Sequence, residues 1–157
     1  MIHYMTTYGI GTATVGNELK ALEKEGIPFV LHAMRGPQHF YFDSEWAERT
    51  VRDTNILYPL SPFQTLLSLL YAPILFRGNF FSALAGAILG ERESFRVRVA
   101  VLAHFLVACH WARSLRHAQV SHIHSQWIHS GGTIALFGAW LLGKSFSFTG
   151  HAVDLYR

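Results

Sequence analysis

The stretch from Val120 to Asp154, VSHIHSQWIHSGGTIALFGAWLLGKSFSFTGHAVD, constrains the fold more than any other part of the chain. A short alternating run carrying histidines leads into an apolar run opened by Gly131-Gly132 and closed by Gly143. A second alternating run then ends at Thr149-Gly150-His151, with Asp154 just beyond. This is the pattern of one strand–helix–strand unit. Alternate side chains of a strand share a face, so His122, His124 and Gln126 point the same way. Ser130 stands where it can cap the helix, and the paired glycines let the helix start close to the sheet. Thr133 to Leu142 is apolar all round except at its start, as expected of a helix packed between a sheet and its neighbours. Ser145 to Thr149 is the second strand, with Phe146 and Phe148 facing one way. Ligands of open α/β sheets bind at the carboxyl ends of the strands, so the unit reads as half of an active site.

The rest of the chain supplies partners for that unit. Ile2 to Thr7 predicts a first strand that ends in the loop Tyr8-Gly9-Ile10-Gly11. Glycines there let backbone amides approach a ligand, and the helix that follows places them where anions are favoured. Taken singly, Gly-x-Gly is also common in ordinary turns. Thr12 or Thr14 can cap a helix that runs to about Glu25, with Gly26 as its stop. Val15, Leu19 and Leu22 form its inward stripe, and Glu18 falls on the same stripe. A carboxylate on a buried face must be paired or in use, unless it sits in the first turn and answers the helix dipole. Both readings of Glu18 stay open at this point.

Ile27 to Met34 is a second strand, Ser44 to Asp53 a short helix, and Asn55 to Leu60 a third strand. Pro62 to Phe76 and Asn79 to Leu89 are two helices split at Arg77-Gly78, the first apolar on both sides. Glu93 to Arg116 is the longest helix, with Phe95, Val99, Leu102, Leu106 and Cys109 as its expected core stripe. Strands alternating with helices argue for an α/β fold, a Rossmann-like parallel sheet flanked by helices. If the first strand is central, the winding reverses beside it and opens a crevice there. Gly9, Gly11, His124, Gln126 and His151 would line it, with Glu18 one turn away.

Composition narrows the partners. The chain has 157 residues, half of them hydrophobic and 15% charged, with a formal charge of +3. One domain is the expectation at this length. The mild positive excess suits an anionic ligand or a membrane surface, and is too small and too scattered for nucleic acid. The single cysteine, Cys109, excludes an internal disulfide and fits a reducing, cytoplasmic setting, with the thiol a buried hydrophobe. The start, MIHYMTTYGIG, does not read as a signal peptide. The longest nearly uncharged stretch, Ile56 to Leu75, is broken by three prolines and is a poor spanning helix. It leaves open a peripheral contact with the inner face of the membrane, or with another domain.

Three chemistries compete for the histidines. His122-x-His124 could hold a metal for a hydrolase, if His129, His151 or Asp154 completed the site. The histidines could instead close hydrogen bonds at strand ends, in a non-catalytic carbohydrate-binding or scaffold domain. Or they could line a sugar and phosphate site, where imidazole bonds to hydroxyls.

Two sets of residues carry a resemblance. His122-Ile-His124-Ser-Gln126-Trp127, then a small-residue apolar helix, then Ser145-Phe-Ser-Phe-Thr149-Gly-His151-Ala-Val-Asp154, resembles the N-terminal domain of family 4 glycosyltransferases. The likeness is greatest to bacterial exopolysaccharide enzymes of the colanic-acid type. Thr12-Ala-Thr14-Val-Gly-Asn17-Glu18-Leu19, with Leu22 and Gly26, is similar to the motif on that family's first helix. The pattern departs at Val15, where the family usually has Phe, and at Gln126, where it often has a second His. Residues 38–91 are unmatched.

The resemblance implies a GT-B fold, in which two Rossmann-like domains enclose the active site. The N-terminal domain of such enzymes binds a glycan or lipid-linked acceptor, and the C-terminal domain binds a nucleotide-sugar donor. They retain anomeric configuration and need neither metal nor cofactor. On the same footing His151 takes the place of the cleft histidine, the catalytic position. Gly9, Gly11, Glu18, His124, Gln126 and Asp154 are substrate-binding positions. Within these 157 residues there is no second such domain and no Glu-x7-Glu donor motif. The expectation is an acceptor-side half that is inactive without a donor-binding partner, in cis or in trans.

Overall fold

The computed structural model describes residues 1–37, 44–91, 93–128 and 130–150. Among them, five parallel strands form one sheet in the order β3-β2-β1-β4-β5, flanked by six helices. The chain is α/β and Rossmann-like. The strands are β1 (Ile2–Thr6), β2 (Phe29–Ala33), β3 (Asn55–Ile56), β4 (His122–Ser125) and β5 (Ser145–Phe148). The helices are α1 (Ala13–Lys24), α2 (Glu45–Arg52), α3 (Pro62–Phe76), α4 (Gly78–Leu89), α5 (Phe95–Leu115) and α6 (Gly131–Leu142).

β1 is the central strand, paired in parallel with β2 on one side and β4 on the other. Winding steps outward through α1 and α2 to β3, then returns and steps the other way through α6 to β5. Two crossovers of one hand that step in opposite directions must carry their helices on opposite faces. The core divides accordingly. Tyr4 and Leu31 pack with Val15 and Leu19 of α1 and Ala47 of α2. Met5 and Ile123, from the other face, pack with Phe76, Phe80, Phe105 and Ile134 of α3 to α6.

The local signals explain the element ends. Thr12 and Ser44 accept hydrogen bonds from the backbone amides of Val15 and Ala47, capping α1 and α2. Ser61 and Pro62 open α3, and Gly143 closes α6 in the left-handed conformation. Ser130 precedes α6 but supplies no side-chain cap. β3 is shorter than expected, only two residues, although Leu57 and Tyr58 beyond it still donate to the Ala33 and Met34 carbonyls; Pro59, which has no N–H, ends the contact.

The expected core stripe of α5 is buried only in part, at Cys109 and, half-buried, at Leu102. Phe95, Val99 and Leu106 are exposed, and the buried face is Phe105, Ala108, Cys109, Ala112 and Leu115, with Trp111. Arg96, Arg98, His104, His110 and Arg113 are scattered around the helix, so its periodicity could not select a face; its first half also extends past the core. At 21 residues it is the one helix, among the described residues, long and apolar enough to cross a membrane. Its second half packs on the sheet and α6 instead. Cys109 is buried, and burial pushes its thiol up to about 12.

Two glycines let the helices close on one another. A Cβ at Gly138 of α6 would come within 2.6 Å of the Trp111 ring, and one at Gly86 of α4 within 2.9 Å of the Trp140 ring. Gly138→Ala therefore has no room without shifting α5. It should destabilise the fold by ~1–3 kcal/mol, read as a lower denaturation midpoint.

A second polar feature of the core was not expected. His3 of β1 and His32 of β2 are buried on the α5 face. The Trp111 indole N–H donates to His32 Nδ1 at 3.2 Å, and His32 Nε2 lies 2.9 Å from His3 Nδ1. An indole can only donate, so His32 carries its proton on Nε2 and gives it to His3. His3 Nε2–H then has no partner among the described residues. Burial first, and His3 second, hold His32 down at about 3. The folded value lies below the unfolded 6.5, so the unfolded chain takes up the proton first. This stabilisation is complete above the unfolded value and declines as pH falls from about 6.5 toward 3. Urea midpoints should fall through that window, and His32→Gln should flatten the slope.

Candidate functional site

The site is built where the winding reverses, at the carboxyl ends of β1 and β4. β1 runs out through Thr6 and Thr7 into Tyr8-Gly9-Ile10-Gly11. Gly9 has a φ of +61°, in the left-handed region that favours glycine. At Gly11 a Cβ would crowd the Tyr8 carbonyl at 3.1 Å. The loop, Thr12 and Val15 of α1, and Trp127 beyond β4 enclose a cavity of ≈220 Å³. Thr7 also lines it, and its buried hydroxyl has no hydrogen-bond partner among the described residues. Gly131 and Gly132 bring α6 in beneath. A Cβ at Gly132 would clash with the Trp127 carbonyl oxygen, and one at Gly131 would lie 3.6 Å from the Thr6 backbone.

Beside the cavity a polar layer crosses β1, β4 and β5. Tyr4 and His124 are partners in the β1–β4 register, and His124 faces Ser147 of β5. The Tyr4 hydroxyl donates to Gln126 Oε1. His124 Nδ1 is 2.8 Å from Ser147 Oγ, and His124 Nε2 is 3.3 Å from Thr149 Oγ1. His122 lies between Ser145 and Ser147, at 2.8 and 2.7 Å. Glu18 reaches in from α1, its Oε1 3.6 Å from His124 Nε2.

The charges follow from burial. Burial lowers the His124 pKa; Glu18 pulls it back in part, and His122 lowers it further. Burial wins, so the imidazole is neutral at pH 7. Its contact with Glu18 is then a polar approach rather than a salt bridge, longer than a hydrogen bond. Burial also drives the Tyr4 phenol upward, helped by the negative charge of Glu18. Tyr4 is therefore a fixed donor in neutral water. Glu18 sits in the second turn of α1, where the helix dipole has little hold, so its partners are Tyr4 and His124.

Of the residues singled out from sequence, Gly9 and Gly11 form the loop, and Glu18, His124 and Gln126 meet beside it. Gln126 is wholly buried, so its amide holds Tyr4 from below. His129, His151 and Asp154 lie outside the described residues. Tyr4, Thr7 and Ser147 complete the site and were not foreseen; Trp127 and Thr149 stood in the motifs but were not expected as site residues. Thr149 and Ser147 could have been found from the alternation of β5, which puts them opposite the β4 histidines. Tyr4 could not, because a tyrosine in a first strand reads as core.

As a metal pair, His122 and His124 are poorly placed. The ring nitrogens of both are taken up by hydroxyls of β5. No group of three metal-ligating side chains occurs among the described residues. A larger cavity of ≈500 Å³ lies at the opposite end of the sheet, lined by Gly26, Pro28 and the Glu23–Arg49 ion pair. Thr50 and Asp53 also line it, but the strand ends there are amino-terminal, away from the edge where ligands of open α/β sheets bind. No family model, no curated protein and no solved structure matches the chain.

The sign of the Glu18 effect gives a direct measurement. His124 should titrate below 6.5 by NMR, and Glu18→Gln should move its midpoint lower still, because the carboxylate favours the charged ring. A midpoint that ignores Glu18→Gln would remove the carboxylate from the cluster.

Proposed function

We propose that this chain is the acceptor-side half of a retaining GT-B glycosyltransferase, serving bacterial polysaccharide synthesis at the cytoplasmic side of the membrane. The observation that carries the reading is the approach of Glu18 to His124 beside β1, on the side of the sheet where the glycine loop, Thr7 and Trp127 line a cavity. Neutral imidazole, a carboxylate and the Thr7 hydroxyl are the groups that recognise sugar hydroxyls. Trp127 adds an apolar wall of the kind a sugar ring packs against. The motifs on β4, β5 and α1 support the same reading.

On this reading the acceptor hydroxyls bond to Glu18 and His124, and the loop amides face the donor phosphates. His151 acts close to the transferred sugar. The departing nucleoside diphosphate needs positive or N–H groups around it, a large part of catalysis by electrostatic stabilisation. Those groups belong to the donor-binding domain, a partner in cis or in trans.

The test is transfer from UDP-glucose or GDP-mannose, by this chain alone and with a donor-binding domain supplied. Alone the chain should release no nucleoside diphosphate. With the second domain it should turn over, and His124→Ala should cut kcat/KM by ~100-fold, as loss of a positioned hydrogen-bonding group does. Transfer by the chain alone would end the half-enzyme reading. Hydrolysis that depends on an added divalent ion would replace it with the metal hydrolase.

A further inference from the structure

We propose that the outer surface of α3 and α4, with the start of α5, is a membrane-docking face that captures an anionic phospholipid. This goes beyond the sugar chemistry and does not depend on it. From Leu57 to Gly90 the chain carries one charge, Arg77, at the corner between α3 and α4. Phe63, Leu66, Leu70 and Ile74 recur at helical spacing along α3, and Phe63 and Ile74 are each 70% exposed. They stand opposite Ser68, Ala72 and Phe76, which α3 buries. Phe81 and Leu89 continue the apolar surface on α4, at 61% and 79% exposure.

Beside this stripe is a cavity of ≈410 Å³ between α3 and the end of α5. Phe63, Ser68, His110, Arg113 and Arg116 line it, and no carboxylate does among the described residues. Arg113 is half-buried. Its guanidinium lies 3.3 Å from Ser68 Oγ and 5.5 Å from the centre of the Tyr71 ring. Ser68 spends its proton on the Gln64 carbonyl, so it accepts from both Arg113 and His110. Among the described residues neither Arg113 nor Arg116 has an acidic partner. A half-buried guanidinium held in place without a counter-ion is built to receive an anion.

The combination selects the occupant. A soluble phosphate would use the cavity and leave the stripe bare, and an apolar protein partner would use the stripe and leave the arginines unpaired. An anionic phospholipid uses both, its phosphate in the cavity and its chains along α3. α3 has 15 residues, roughly 22 Å of helix, and contains Pro73, so it lies in the interface rather than spanning a hydrocarbon core of about 30 Å.

The test is co-sedimentation of the full chain with phosphatidylcholine vesicles, with and without phosphatidylglycerol. Binding should require phosphatidylglycerol. Arg113→Gln with Arg116→Gln should weaken it by ~10-fold or more, since each basic residue near an anionic surface is worth about fivefold. Leu70→Glu with Ile74→Glu should abolish it, with circular dichroism unchanged because both positions are exposed. Inorganic phosphate should bind the arginine cavity far more weakly than the vesicle does. The proposal is overturned by equal binding to pure phosphatidylcholine, by indifference to the arginine pair, or by no vesicle binding from a folded chain. It is likewise overturned by a dimer in solution that Leu70→Glu dissolves while vesicle binding is absent.

Discussion

The pairing of β1 with neighbours on both edges is the constraint from which the rest follows. A central parallel strand is covered on both faces, so its side chains must be apolar or internally satisfied. β1 is neither plainly apolar nor exposed: His3, Tyr4 and Thr6 are all buried in it. The fold answers by giving each face its own partner set. On one side Trp111 and His32 take up His3; on the other Gln126, Glu18 and His124 surround Tyr4. The first set stabilises the fold at neutral pH, and the second lies at the mouth of the crevice. One strand thus carries a buried histidine pair on one face and the polar layer of the candidate site on the other.

Much of this was legible in the chain itself. Pro62, Arg77-Gly78 and Gly143 mark ends that the helices respect, because proline, glycine and capping hydroxyls act through local backbone geometry. The β-α-β unit from His122 to Phe148 follows from alternation, whereas the central place of β1 was only a condition of the crevice, one that the strand order meets. The meeting of Glu18 and His124 was foreseeable only as a shared edge, since nothing local says that a residue of the first helix reaches the fourth strand.

What was not legible failed for identifiable reasons. In α5 the arginines and histidines are scattered around an otherwise apolar helix, so no face stands out, and of the expected stripe only Leu102 and Cys109 turn inward. His3 and His32 alternate with apolar neighbours as solvent-facing residues do, and only the indole of Trp111, far along the chain, makes their burial tolerable. The close approaches at Gly86 and Gly138 depend on which tryptophan arrives opposite, a matter of tertiary packing.

The row Ser145, His122, Ser147, His124, Thr149 carries one more implication. Ser147 Oγ has a single hydrogen to share between two imidazoles, each within 2.8 Å. If it is given to His124, His122 must present its own N–H to Ser147 and accept at its other nitrogen from Ser145. The tautomers of the two rings are therefore chosen jointly, and the row has a direction. Reversing it means moving every hydrogen in the row together. An event at the half-hidden His124 is in this way felt at Ser145 on the outer edge of the sheet, with no backbone having to move.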